Sequence, residues 1–158
     1  MEEIIHNVYL SLGSNLGDKM SNINNAIHLI SSEVGRIEAV SSPFFSKPQG
    51  FISENDFVNN VIKISTAKNP SNLLQSLKSI ENRLGRIKKS KGNYSDRTID
   101  IDIIFFDQIS LDSEDLVLPH PKWSLRDFVY IPLNEITTIE ERLVLNSTLN
   151  YSKKDIFS

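Results

Sequence analysis

Arg97-Thr98-Ile99-Asp100-Ile101-Asp102-Ile103-Ile104-Phe105-Phe106 is an apolar run that begins with an arginine and carries two carboxylates. Its Ile and Phe content reads as a β-strand, in which aspartate is normally depleted. Side chains alternate across a strand, so Asp100 and Asp102 share a face with Cα atoms roughly 6.5–7 Å apart, and Ile99, Ile101, Ile103 and Phe105 fill the other. At that spacing two carboxylates can hold a divalent cation between them, or one cation each. The ordinary alternative is a strand with one wet face. Ile104 and Phe106 continue the aspartate face, however, so it turns apolar within one step, which favours a metal or substrate role.

The segment feeding this strand is cationic. Arg83, Arg86, Lys88, Lys89, Lys91 and Arg97 lie close together, although the whole chain has a formal net charge of −3. A run of cations leading into a carboxylate pair suits a polyphosphate and its bridging metal ions; charge runs are also common as solvated surface. The acidic total argues against a general nucleic-acid binder. With 158 residues, 39% hydrophobic and 23% charged, the composition is that of one soluble globular domain spanning 1–158. The absence of cysteine excludes disulfides, thiolate metal sites and a thiol nucleophile. No apolar run approaches the ~20 residues of a membrane span. The opening Met1-Glu2-Glu3 is acidic where a signal peptide would be basic, and a cytoplasmic location is the expectation.

Upstream, residues 7–12 alternate Val8, Leu10 and Leu12 against polar neighbours and read as a first strand. Gly13-Ser14-Asn15-Leu16-Gly17 reads as a packed turn near the site; the fixed glycine spacing of nucleotide fingerprints is absent. Met20, Ile23, Ile27, Ile30 and Val34 then fall at helical spacing, with Asp18 in the first turn and Gly35 as the stop. Residues 36–46 read as an extended segment interrupted by Pro43, and residues 47–55 as a covering loop. Residues 56–64 read as a third strand, on which Phe57 and Asn59 point the same way. A ring beside an amide can stack on a flat heterocycle and read its edge, although position alone favours core packing for a strand phenylalanine.

Asn69-Pro70 reads as an N-cap and first helical position, and Leu73, Leu77, Ile80 and Leu84 mark a helix ending at Gly85. Glu81, at the edge of that stripe, reads as exposed surface. The loop 85–96 contains Gly92 and Tyr94 and is long enough to move. Beyond the aspartate strand comes a polar stretch, then Leu116-Val117-Leu118 and Pro119-His120-Pro121, where two prolines hold an imidazole rigidly. Ser124 reads as the cap of a short helix, and the last twenty residues as a brief apolar run and a short polar helix without chemistry. The order of strands and helices matches a ferredoxin-like βαββαβ α+β fold, an antiparallel sheet with two helices packed on one face.

Leu12-Gly13-Ser14-Asn15-Leu16-Gly17, Pro48-Gln49-Gly50 with Phe57-Val58-Asn59, Glu81 with Leu84-Gly85-Arg86, Asp96 through Ile103, and Pro119-His120-Pro121 with Arg126 and Phe128 together resemble the 6-hydroxymethyl-7,8-dihydropterin pyrophosphokinase family, over about residues 7–136. The resemblance implies transfer of the diphosphoryl group of ATP to the hydroxymethyl oxygen of the pterin, releasing AMP. It implies that Asp100 and Asp102 hold two Mg²⁺ ions on the ATP phosphates, with Arg86 and Arg97 as catalytic phosphate-binding cations. Phe57 and Phe128 would sandwich the pterin, with Asn59, Ser46 and Gln49 around it. Glu81, Lys88, Ile103, His120 and Arg126 would meet ATP. Lys88 stands where many relatives carry an arginine, and Tyr94-Ser95-Asp96 replaces the commoner Trp-Gly-Pro. The expected partners are the two substrates, with no nucleic acid and no membrane, and the expected state is a monomer. Two other readings are an RNA-binding module of the same fold and a phosphohydrolase built on the same aspartates.

Overall fold

The computed structural model describes residues 3–47, 56–85 and 98–147. Gln49, Arg86, Lys88 and Arg97, with most of the two loops expected at 47–55 and 85–96, lie outside these residues.

Four antiparallel strands form the sheet, in the order β2 (Arg36–Val40), β4 (Phe57–Thr66), β1 (His6–Ser14) and β5 (Asp100–Phe106). A further strand, β3 (Phe44–Ser46), pairs with the same edge of β4 as β2 does. The extended segment 36–46 is therefore one edge broken in two at its proline. The Ser41 N–H still donates to Val61 O at 2.9 Å, which keeps the two halves in line.

Helices α1 (Lys19–Glu33) and α2 (Pro70–Arg83) cover one face. Ile23, Ala26 and Ile30 of α1 and Leu73, Leu77 and Ile80 of α2 meet Val8, Leu10, Leu12, Ile62, Ile64, Ile101 and Ile103 of the strands. Each helix starts where its cap says it should. Asp18 is the N-cap of α1, one step before the first turn where the sequence placed it, and accepts from the Ser21 N–H at 3.1 Å. Asn69 accepts from the Asn72 N–H at 2.8 Å ahead of Pro70, and Gly85 takes the positive φ that follows the end of α2. Truncating Leu77, 1% exposed, to alanine would cost about 2–5 kcal/mol.

The opposite face is not bare. After the two short strands β6 (Leu111–Asp112) and β7 (Val117–Leu118), which structure part of the polar stretch, a 3₁₀ turn (Trp123–Leu125), α3 (Asp127–Glu135) and α4 (Ile139–Ser147) cross it. Trp123, Val129, Leu133 and Leu145 pack there on Tyr9, Val61, Ile104 and Phe105. Ser124 lies inside the 3₁₀ turn and does not cap α3, whose N-cap is Arg126.

One register shift corrects the alternation expected in β5. Tyr9 pairs with Phe105 but Leu10 with Ile103, so Ile104 is an extra residue, a β-bulge. Beyond it the faces exchange. Phe105 joins the α3 side, its ring centroid 5.0 Å from that of Trp123, and Phe106 joins the α1/α2 side. The aspartates precede the bulge and keep the expected face.

Candidate active site

The register assembles the site. Asn59 of β4 stands opposite Gly13 of β1, and Gly13 opposite Asp100 of β5. With strands about 4.8 Å apart, Asn59 and Asp100 lie roughly 10 Å from one another along one row across the sheet. Gly13 is therefore inside a strand that runs to Ser14, not in the turn the sequence suggested. Its lack of a side chain is required: a Cβ there would stand 2.7 Å from Asn59 Oδ1 and 3.6 Å from the Phe57 ring. Asn59 is 3% exposed, and its Nδ2 donates to Ser46 Oγ at 2.9 Å, which fixes the direction of the amide. Phe57, Asn59 and Val61 alternate onto the face that α3 covers, so Phe57 and Phe128 of α3 both lie on that side of the sheet. Both rings are half-buried, and the Arg126 guanidinium sits 5.7 Å from the Phe128 centroid.

At the other end of the row, β5 is the last strand of the sheet. Its edge opens on a cleft of about 360 Å³ lined by Lys78, Glu81, Asp100, Asp102, Glu114 and His120, among others, with the Ile103 backbone at the same edge. Asp100 and Asp102 are half-buried and project from the same face. Among the described residues no three His, Cys, Asp or Glu side chains form a metal-holding group. A pair of aspartates without a third protein carboxylate suits an ion that takes few protein ligands and completes its shell with water and phosphate oxygens, as Mg²⁺ does.

His120 is held by its backbone and by its ring. Its N–H donates to Ile104 O at 2.9 Å, and its Nδ1 accepts from the Lys122 N–H at 3.1 Å. Burial, and then the Arg126 guanidinium, push the imidazole down to about 4, against the pull of Asp100. The ring is thus neutral near pH 7, and since Nδ1 accepts, the proton is on Nε2, where it can be donated to an anion.

Glu81 is not the surface residue its position implied. It is 5% exposed, and its Oε2 accepts from the Ile101 N–H at 2.7 Å. Among the residues not singled out from the sequence are Gly13, read there only as part of a turn near the site, and Lys78 of the cleft. Gly13 carries no signal beyond a glycine that ends an alternating run, and Lys78 could have been found only from its place one helical turn before Glu81.

Comparisons with known proteins cover most of the chain. A model of 7,8-dihydro-6-hydroxymethylpterin-pyrophosphokinase (HPPK) matches residues 9–138. A 2-amino-4-hydroxy-6-hydroxymethyldihydropteridine pyrophosphokinase from Porphyromonas gingivalis is 41% identical over 131 residues, covering 82% of this chain and 89% of the relative. Enzymes of the same name from Aquifex aeolicus and Bacillus subtilis are 40% and 36% identical, over 82% and 81% of this chain and 79% and 76% of their own. Among solved structures, an HPPK-DHPS in complex with substrates superposes with a TM-score of 0.66 at 18% identity, covering 96% of this chain and 46% of that one. Plasmodium falciparum HPPK-DHPS with pteroate gives 0.67 at 16%, covering 93% and 43%. The chain spans less than half the length of those two structures, and at such identities the likeness is one of fold. On the match over residues 9–138 and the identity to full-length relatives, the chain belongs to the 7,8-dihydro-6-hydroxymethylpterin-pyrophosphokinase family.

Proposed function

We propose that the cleft end of the sheet carries out the reaction of this family, transfer of the diphosphoryl group of ATP to the hydroxymethyl oxygen of 6-hydroxymethyl-7,8-dihydropterin, giving the pterin diphosphate and AMP on the route to folate. The row Asn59, Gly13, Asp100 supports it most. An oriented amide that can read the edge of a heterocycle and a carboxylate that can face a phosphate-bound cation stand in register, with a glycine between them that leaves the sheet surface clear.

In this reading Phe57 and Phe128 stack on the two faces of the pterin. Asn59, braced by Ser46, reads its edge, with Gln49 nearby. Asp100 and Asp102 would hold Mg²⁺, two ions with ATP. When bound, the metal neutralises charge on the phosphate oxygens. The chain's own groups do the rest by position. The neutral His120 offers Nε2–H to a phosphate oxygen, Arg86, Lys88 and Arg97 supply cations, and Ile103, Glu81 and Arg126 border the nucleotide. The pterin alcohol attacks the β-phosphorus in line, AMP leaves, and no side chain serves as nucleophile. Transfer of this kind depends on placement and electrostatics. Closure of the loops 47–55 and 85–96 would keep water from taking the place of the alcohol. Residues 1–158 act as one domain and as a monomer in the cytoplasm; every residue the reading uses comes from a single chain. Among the described residues no helix is long and apolar enough to cross a membrane.

The test is to supply ATP, Mg²⁺ and the pterin alcohol and identify products by mass. AMP formed in step with pterin diphosphate is expected. ADP, or phosphate released without an acceptor, would overturn the proposal in favour of a kinase or phosphohydrolase.

A further inference from the structure

We infer that Glu81 is a positioning residue: its carboxylate reaches from α2 to the free edge of β5 and pins the peptide between the two aspartates, fixing the spacing at which they meet a phosphate-bound cation. The inference rests on the reading of the cleft given above.

The geometry begins with the edge. Among the described residues β5 has β1 on one side and no strand on the other, so alternate N–H and C=O groups face outward without a ladder partner. Ile101 is one of the outward residues: it stands opposite Leu12, but its N–H donates to Glu81 Oε2 at 2.7 Å. The residue is 5% exposed, so without this acceptor the N–H would be buried with no water to turn to. A carboxylate is a strong choice of acceptor, because a hydrogen bond to an ionised group is shorter and about twice as strong as a neutral one. Three residues on, at the bulge itself, the strand is held again where the His120 N–H meets Ile104 O at 2.9 Å. The aspartate strand is thus clamped at Ile101 and at Ile104 by two residues from different parts of the chain.

Glu81 is well placed to be the fixed partner. It is on the buried side of α2, next to Ile80, and that helix is anchored in the core by Leu73 and Leu77, each 1% exposed or less. Asp100 and Asp102 flank Ile101 and project from the face opposite to the Ile101 side chain, so Glu81 meets the peptide between them at the strand edge, from the α2 side. Glu81 does not form a metal-holding group with them, in keeping with the absence of any such trio among the described residues. A movement of that peptide would turn both carboxylates together, and misplacement by about 1 Å can cost on the order of a hundredfold in rate.

Glu81→Gln keeps an acceptor of the same length without the charge, and Glu81→Met fills the volume with neither. Amide hydrogen exchange at Ile101 is measured in the protein without ligands, and kcat, KM for ATP and the Mg²⁺ concentration for half-maximal rate are measured with them. The expected result is that Glu81→Met exposes the Ile101 amide to exchange by at least about tenfold. It should also lower kcat by about a hundredfold and raise the Mg²⁺ requirement more than the KM for ATP. Glu81→Gln is expected to restore Ile101 protection and to recover at least about tenfold in kcat over Glu81→Met. If Glu81→Gln protects Ile101 yet is as slow as Glu81→Met, the charge acts directly on nucleotide or cation and the inference fails. Protection of Ile101 in a folded Glu81→Met variant also overturns it. Should Glu81→Met not fold, Glu81→Gln decides alone, by whether it holds both the amide and a rate within about tenfold of the unsubstituted enzyme. An unsubstituted protein that forms no AMP would sink the reading of the cleft, while the exchange measurement would still judge the clamp.

Discussion

At the end of the sheet away from the cleft, Glu141 of α4 accepts from Tyr9 Oη, from Lys63 Nζ at 3.0 Å and from the Thr138 N–H at 3.2 Å. Nearby, Asp107 binds His6 Nδ1 at 2.6 Å and the Asn7 N–H at 2.7 Å. Asn7, Tyr9, Lys63, Asp107 and Glu141 line a cavity of about 600 Å³, larger than the cleft of about 360 Å³ beside Asp100 and Asp102. Size therefore points to the wrong end. At the far end a second layer of helix supplies counterparts to the strand residues, so those charges are matched by the fold and serve stability. At the cleft end α3 contributes a ring and a guanidinium beside the opening, and the carboxylates line a space that a charged ligand fits. A polar residue on a sheet becomes functional when the covering layer stops short of it.

The comparison breaks most sharply on a pair of substitutions. Asp102→Asn should lower diphosphoryl transfer by about a thousandfold while circular dichroism and the melting temperature stay near those of the original, since the side chain is half-buried at the cleft. Glu141→Gln should do the reverse, leaving kcat/KM nearly untouched and lowering stability. Retained turnover in Asp102→Asn would remove the assignment of the metal site. A large loss of turnover in Glu141→Gln would mean that the far end takes part in the reaction.

Within the cleft end, the pterin and nucleotide sides should separate. Phe128→Ala removes one stacking face, which is worth about 1–3 kcal/mol, so pterin affinity should fall by roughly ten- to a hundredfold, with ATP affinity changed far less. Equal losses for the two substrates would argue against stacking. A smaller effect is expected of Gly13→Ala. The new methyl would meet Asn59 Oδ1 at 2.7 Å, so either the amide turns away from its bond to Ser46 or the strands part slightly. The pterin KM should rise about tenfold. An unchanged pterin KM would show that Asn59 has room to shift without losing its contact.

Much of this arrangement was legible in the chain. Alternation in the strands, the cap at Asn69 and the helical spacing after Asp18 place the sheet and its two main helices, because those signals are local. The aspartate pair was legible for the same reason: two charged residues in an Ile and Phe run conflict with their surroundings, and such conflicts gather at functional sites. What escaped is set by partners far along the chain. Nothing in Ile103-Ile104-Phe105 marks the bulge that exchanges the faces, since an isoleucine serves equally well on either. Glu81 looks like surface until β5, 20 residues on, brings an N–H to it. The bond between Tyr9 and Glu141 spans 132 residues and leaves no trace in either neighbourhood. Gly13 matters for what the neighbouring strand β4 puts above it.

The two ends should also part company in acid. Burial pushes the Glu141 carboxyl up, but the hydrogen bonds from Tyr9 and Lys63 outweigh it and bring it down to about 2. A depressed carboxyl stabilises the fold fully above its unfolded value near 4.5, and that contribution is lost as pH falls toward 2. His120 titrates in a different window. Its folded value of about 4 lies below the unfolded 6.5, so between those values the unfolded chain holds a proton that the folded one does not. Stability therefore declines as pH drops from about 6.5 to 4 and is flat, for this group, on either side. Each contribution is about 1–3 kcal/mol, the lower figure applying where the side chain reaches solvent. Thermal melts from pH 8 to 2 should show two separate declines. His120→Gln is expected to flatten only the upper one and Glu141→Gln only the lower. If His120→Gln leaves the upper decline in place, the folded imidazole keeps its ordinary value, and neither burial nor Arg126 holds it neutral into acid.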